Sequence, residues 1–138
     1  YYRFIFWYDM ESPPPNPVRT QHTVFRVELL SELCVDLRSV DYDDIRPEIR
    51  SPVSYEISQA LGAGLRDDGT EMIIFESARG EGDNIAAYSH CVFSGGPKEQ
   101  EQWNSELTSD MVLLRGPEGL FRFQFAQYSG ADGRLLRV

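Results

Sequence analysis

The residues best suited to chemistry follow a short apolar segment in the middle of the chain. Ser77, Arg79 and Asn84 come soon after residues 71–75 (EMIIF), a segment with the pattern of a buried strand. An arginine can pair with a pyrophosphate or a carboxylate, and a serine hydroxyl or a loop amide can bind phosphate and amide groups. The sequence therefore predicts a compact polar cluster at a sheet edge, although the same composition also suits an ordinary connection between strands.

Most other kinds of reactive site are not indicated. The chain has no GxSxG motif, Walker loop, HExxH motif or dinucleotide fingerprint. His22 and His90 are isolated in the sequence, and no cysteine–histidine cluster has the spacing of zinc ligands. Cys34 and Cys91 lie far apart in apolar surroundings, which favours two buried free thiols over a disulfide. We therefore expect neither a hydrolase triad nor a metal site.

A helix and the strand after it must hold the polar cluster in place. Residues 54–66 (SYEISQALGAGLR) carry apolar side chains at helical spacing, with Ser54 as the predicted N-cap and residues 67–69 (DDG) as the stop. Gly62 and Gly64 weaken this helix but permit close packing against a sheet. Helix, buried strand and polar loop are thus expected to form one unit.

The remaining segments are mostly short strands and loops. Residues 1–8 are apolar and aromatic, so they form either a buried strand or the last turns of a buried helix, and composition favours the strand. Residues 98–106 are polar and expected to be exposed, whereas residues 11–17 and 46–52 contain prolines and are expected to be irregular. Further strands are expected at residues 23–30, 34–37, 85–88 with 91–93, 110–114 and 120–125, the last two as a hairpin around a loop at 115–119.

Length and charge limit the classes of protein and partner. The 138 residues suit a single domain, and no apolar run is long enough to span a membrane. The net charge of −9 repels phosphate backbones, so we expect no direct nucleic-acid binding and, if anything, a basic protein partner. The chain lacks an initiator methionine and starts with aromatic residues, so we expect it to begin within a longer protein or to have been processed.

Three blocks of the chain resemble the RES domain family. They are residues 1–4 (YYRF), residues 34–38 (CVDLR) and, most specific, residues 55–88 with SQALGAGLR, IIFESARGEGDN and IAAY. The resemblance implies a single RES-like domain over residues 1–138, truncated at its N-terminus. It also implies an α+β fold like that of ADP-ribosyltransferases, with a split mixed β-sheet and few helices.

The resemblance implies NAD as substrate and no metal. The bond between nicotinamide and ribose would be cleaved, with ADP-ribose passing to water, phosphate or a protein. Ser77 matches the family's serine and is the expected catalytic residue, while Arg79, Asn84 and Tyr2 are the expected NAD-binding residues. The family's arginine and glutamate have no counterpart in this sequence, and Glu76 stands where the family usually has proline.

Such a protein would be the toxin of a bacterial toxin–antitoxin pair in the cytoplasm, neutralised by a cognate antitoxin and compatible with a homodimer. Two alternatives stay open at this point. One is a non-catalytic interaction module that keeps the RES-like fold. The other is an effector with the same chemistry, delivered to competing cells and neutralised by an immunity protein.

Overall fold

The computed structural model describes residues 1–136, which fold as α+β with short helices and mostly antiparallel strands, as expected. The chain divides into two compact units. Unit 1 comprises Tyr1–Arg26 and Pro97–Leu136, and unit 2 comprises Val27–Gly96. In chain order the elements are α1 (Tyr2–Tyr8), β1 (Val18–Arg26), β2 (Cys34–Asp36), α2 (Arg46–Ile49), α3 (Glu56–Asp67), β3 (Met72–Glu76), β4 (Asp83–Ala87), β5 (Lys98–Leu107), β6 (Met111–Gly116) and β7 (Gly119–Gln124).

Unit 1 is an antiparallel sheet of strand order β1-β5-β6-β7 with α1 on one face. The side chains of opposite residues in neighbouring strands point to the same face, so the pairs Val18–Leu107 and Leu107–Val112 build one apolar row. Phe4 and Trp7 of α1 pack on this row together with Tyr128. This cluster forms the core of the unit.

The expectation of a strand over residues 1–8 is wrong, because α1 is a helix. Phe4 and Trp7 are buried while Tyr2 and Phe6 are exposed, which is a spacing of three residues along one helical face. Almost every residue of this segment is aromatic or branched. Composition therefore indicated burial. Because polar residues are nearly absent, the segment shows no polar–apolar repeat that would distinguish a helix from a strand.

The prediction that residues 98–106 form an exposed polar segment is also wrong. They belong to β5, which pairs with β1 on one side and β6 on the other. Trp103, Ser105 and Leu107 alternate inward and are buried, whereas Gln102 and Asn104 face outward and are exposed. The hairpin after β5 is confirmed, but β6 and β7 are joined by a turn of two residues, since Gly116 pairs with Gly119.

Unit 2 contains a mixed sheet of order β2-β3-β4, parallel between β2 and β3 and antiparallel between β3 and β4. Leu37, Ile49 and Ile73 form its buried core, against which Leu61 and Leu65 of α3 pack. The expectation that residues 46–52 are irregular is wrong in part. Their first four residues form α2, with Pro47 in the first turn, where a proline costs no helical hydrogen bond.

Helix α3 confirms the predicted helix, but its N-cap and its first helical residue lie one position later than predicted. The N-cap is Tyr55, which makes no side-chain capping bond, whereas Ser54 was the expected cap. A Cβ atom on Gly62 would lie 3.0 Å from the Tyr88 hydroxyl, so this glycine does permit close packing after β4. Gly64 has open space around it, so its predicted packing role is wrong.

Both thiols are free, as expected, but Cys34 is half-buried and Cys91 is exposed, so the expectation of burial is wrong for Cys91. Among residues 1–136, no three histidine, cysteine, aspartate or glutamate side chains group as metal ligands would. None of the helices in the same range is long and apolar enough to cross a membrane.

Candidate functional site

The polar cluster predicted from the sequence lies on one hairpin of unit 2. Strand β3 ends at Glu76, and its partner Asp83 begins β4. The Ser77 backbone N–H donates to the Gly82 carbonyl at 2.9 Å, and Gly82 takes a φ of +100° that favours glycine. Residues 77–82 are therefore held as a tight, polar loop at the end of a largely buried strand.

Ser77 is fixed within this loop. Its hydroxyl oxygen accepts a hydrogen bond from the Arg79 backbone N–H at 3.2 Å, and the side chain is half-buried. One lone pair and the hydroxyl proton stay available for a further partner, because a hydroxyl has one donor and two acceptor positions. The geometry allows Ser77 to orient a bound hydroxyl or amide.

Arg79 connects the loop to the start of α3. Its Nη2 atom donates to the hydroxyl of Tyr55, the N-cap of α3, at 3.3 Å. Both side chains are half-buried. The guanidinium is thereby fixed against α3 by a contact between residues 24 positions apart, and a planar guanidinium is suited to binding phosphate or carboxylate.

A second arginine, Arg50, reaches the same loop from the end of α2. Its Nη1 atom pairs with the Glu76 carboxylate at 2.5 Å, and its Nη2 atom donates to the Ser77 carbonyl oxygen at 3.4 Å. The Glu76 carboxylate is therefore neutralised locally, and the same guanidinium contacts the Ser77 backbone.

An open cleft of about 340 Å³ lies beside the loop and is lined by two arginines and one carboxylate. Arg46 pairs with Asp43 at 2.6 Å and also donates to the Arg38 and Ser39 carbonyl oxygens, each at 2.8 Å. The cleft thus presents fixed guanidinium groups in a chain of net negative charge. Its lining residues are Asp43, Arg46, Pro47, Arg50 and Ala78.

Asn84 lies on β4, opposite Phe75, and is exposed. Its neighbour Asp83 pairs with Arg38, which also binds Asp36 through both carboxylate oxygens. The Arg38 side chain and then its backbone N–H hydrogen-bond to Asp36 and lower the pKa of that carboxyl from 3.8 to about 2. Arg38 thus links the end of β2 to the start of β4, at the same end of the sheet as the loop.

The structure brings Ser77, Arg79 and Asn84 together on one hairpin, whereas Tyr2 lies on α1 in unit 1. Tyr2 is 72% exposed, and its ring packs edge-on against Tyr1 with centroids 5.2 Å apart.

Sequence reasoning missed Arg46 and Arg50. Their spacing of four residues was a usable signal, because it places both side chains on one helical face. The prolines around them indicated irregular structure instead.

The family model of the RES domain matches residues 1–108. This range includes all four predicted site residues, Tyr2, Ser77, Arg79 and Asn84. No curated protein matches the chain. RES domains are associated as a family with NAD processing and with toxin–antitoxin systems. Because the match covers more than three quarters of the 138 residues, the chain belongs to the RES domain family.

Proposed function

We propose that this domain consumes NAD by breaking the bond between nicotinamide and ribose, with Ser77 at the catalytic site. The observation that carries the proposal is the Ser77 loop itself. It ends a largely buried strand, bonds to Arg79 and Arg50, and adjoins a cleft lined by guanidinium groups. Membership of the RES family supports NAD as the substrate.

The reaction requires positive charge to be stabilised on the ribose. When the bond breaks, its electron pair leaves with the nicotinamide nitrogen, and the ribose C1′ becomes an oxocarbenium-like centre. Water, phosphate or a protein nucleophile then forms the new bond to C1′. Catalysis needs a clamp on the pyrophosphate, a group that orients nicotinamide or ribose, and negative charge near the ribose.

The residues of unit 2 fit the first two of these needs. Arg79 is held within the loop by Tyr55, and Arg50 contacts the loop from α2, so both can donate to the pyrophosphate, whose negative charge the cleft complements. Ser77 can orient the ribose or the nicotinamide amide through its remaining donor and acceptor positions. Asn84 and Tyr2 stay predicted NAD contacts, and substitution of each tests its own role.

We further propose that a cognate antitoxin neutralises the domain by covering this cleft. The net charge of −9 favours a basic partner surface around the cleft but not in it, because the cleft itself presents guanidinium groups. An effector delivered to competing cells would use the same chemistry with an immunity protein in the antitoxin's place. Co-purification with the product of the neighbouring gene tests both cases. An antitoxin as the bound protein indicates a toxin–antitoxin pair, and an immunity protein indicates a delivered effector.

The test is release of nicotinamide from NAD, measured by chromatography, for the parent chain and two serine variants. Ser77→Ala is expected to abolish release. Ser89→Ala is the matched control, because the Ser89 hydroxyl also accepts a backbone N–H two residues ahead, from Cys91 at 3.2 Å, but outside the loop. Its rate is expected to equal that of the parent.

NAD binding, measured by calorimetry on the same three proteins, distinguishes an NAD-consuming enzyme from a domain that binds NAD without cleaving it. Binding without release in the parent chain identifies a non-catalytic interaction module. Equal release by the parent and Ser77→Ala removes Ser77 from the catalytic site. Absence of both binding and release rejects the proposed function for this domain.

A further inference from the structure

Unit 1 contains a groove of about 390 Å³ on the same sheet face that carries its core. Helix α1 packs on part of that face, and the groove lies on the part beside it. A cavity of this size is within the range of small-molecule sites, about 300–1,000 Å³. It is lined, among others, by Arg3, His22, Trp103, Ser105 and Phe123.

One wall of the groove is aromatic and held in place by a glycine. The Trp103 indole lies over Gly116, where a Cβ atom would come within 2.2 Å of two ring carbons. Its indole N–H donates to the Glu101 carboxylate at 3.0 Å, and its ring packs against Phe121 at 5.5 Å between centroids. Trp103 is only 8% exposed. The wall is therefore rigid, apolar and already formed.

Ser105 is the most unusual residue of the groove. It is 1% exposed, and its hydroxyl oxygen has no hydrogen-bond partner among residues 1–136. Buried hydroxyls are almost always hydrogen-bonded, because an unpaired one keeps the full cost of leaving water. A hydroxyl that lines a preformed groove without a partner indicates a ligand group that bonds to it.

A cation lies close to Ser105. Thr20 is the direct neighbour of Ser105 across the β1–β5 ladder, and the Thr20 hydroxyl accepts from Arg3 Nη2 at 3.1 Å. It is also 2.9 Å from His22 Nε2. The Arg3 Nε–H is buried without a partner, and within residues 1–136 no carboxylate lies within 4.0 Å of the Arg3 guanidinium. The guanidinium also lies over the Phe6 ring, 5.8 Å from its centroid, so this cation has an aromatic neighbour but no carboxylate partner among residues 1–136.

We propose that this groove binds a small organic monocarboxylate with an aromatic or branched apolar body. The carboxylate accepts hydrogen bonds from the Arg3 guanidinium and the Ser105 hydroxyl, and the apolar body lies against Trp103 and Phe123. One guanidinium beside apolar walls suits a single negative charge, whereas a phosphate dianion requires more donors to replace its water. All these residues belong to unit 1, so the site is separate from the Ser77 loop of unit 2.

The test uses benzoate as the probe and benzyl alcohol as its uncharged counterpart, with affinities from titration calorimetry on the full chain. Benzoate is expected to bind at least about ten-fold more tightly than benzyl alcohol, which corresponds to roughly 1.4 kcal/mol for the charged contact. Ser105→Ala and Arg3→Gln are each expected to weaken benzoate binding by about five- to ten-fold and to leave benzyl alcohol unchanged.

Arg19→Gln is the matched control. Arg19 is on the same strand as Thr20 but on its opposite face, where it pairs with Glu106 at 2.9 Å, so its loss should not alter benzoate binding. Circular dichroism checks that each variant folds. If Arg3→Gln does not fold, the effect of Ser105→Ala on benzoate binding tests the proposal by itself. Equal affinity for the two probes, no saturable benzoate binding, or binding unaffected by Ser105→Ala overturns the proposal.

Discussion

Replacing Gly116 with alanine should destabilise unit 1 through a steric conflict at a single position. The new Cβ atom would lie 2.2 Å from Cδ2 and Cε2 of Trp103 and 2.7 Å from Cε3. Carbon atoms in contact prefer about 3.5–4.0 Å, so the indole would have to move by more than about 1 Å. Overpacking of this kind costs about 1–3 kcal/mol, and displacing the indole also strains its bond to Glu101.

We therefore expect the free energy of unfolding to fall by about 2–3 kcal/mol, measured by urea denaturation. The fluorescence of Trp103 should change at the same time, and benzoate binding should weaken because the aromatic wall of the groove is displaced. Gly64→Ala is the contrasting control: the helical site is open, so alanine should stabilise by up to about 1 kcal/mol. A loss below about 0.5 kcal/mol for Gly116→Ala would refute the packing of Trp103 on this glycine.

Further predictions concern the Ser77 loop and the pH dependence of stability. Arg50→Gln should reduce nicotinamide release by at least about ten-fold and lower Tm modestly, because it removes a cleft cation and breaks a partly exposed pair with half-buried Glu76. The lowered pKa of Asp36 means that its contribution to stability is present above pH 4 and is lost as pH falls towards about 2, so Asp36→Asn should flatten acid denaturation curves in that window. Burial raises the pKa of Tyr128, so its contribution is present below its ordinary value near 10 and is lost at higher pH, and Tyr128→Phe should reduce the alkaline loss of stability seen by circular dichroism.

The parts of the fold that the sequence predicted are those with a clear local period. Helix α3 and the β6–β7 hairpin have apolar residues at helical and strand spacing, so their pattern alone was sufficient. Strand β5 was missed because eight of its ten residues are polar, so Trp103 and Leu107 alone do not make an alternating pattern. The polar residue Ser105 occupies the inward position between them.

The candidate site was predictable to the extent that it is local. Ser77 and Asn84 belong to one hairpin, so their proximity follows from a short segment of sequence. Arg50 contacts Ser77 across 27 positions and from a four-residue helix, which no local pattern can indicate. Long-range contacts of this kind are set by the packing of Ile49 and Ile73 in the core of unit 2.

The pairing of Glu76 with Arg50 makes the role of Arg50 separable into two parts. Without a partner, the Glu76 carboxylate would repel a pyrophosphate at the neighbouring loop, and Arg50 removes that repulsion at a distance of 2.5 Å. If neutralisation is its only role, combining Arg50→Gln with Glu76→Gln should restore nicotinamide release. If Arg50 also binds the pyrophosphate, the double variant should keep a raised KM, because the added cation is missing even when the repulsion is gone. The two roles therefore differ in a measurable way, and only the second makes Arg50 part of the binding site itself.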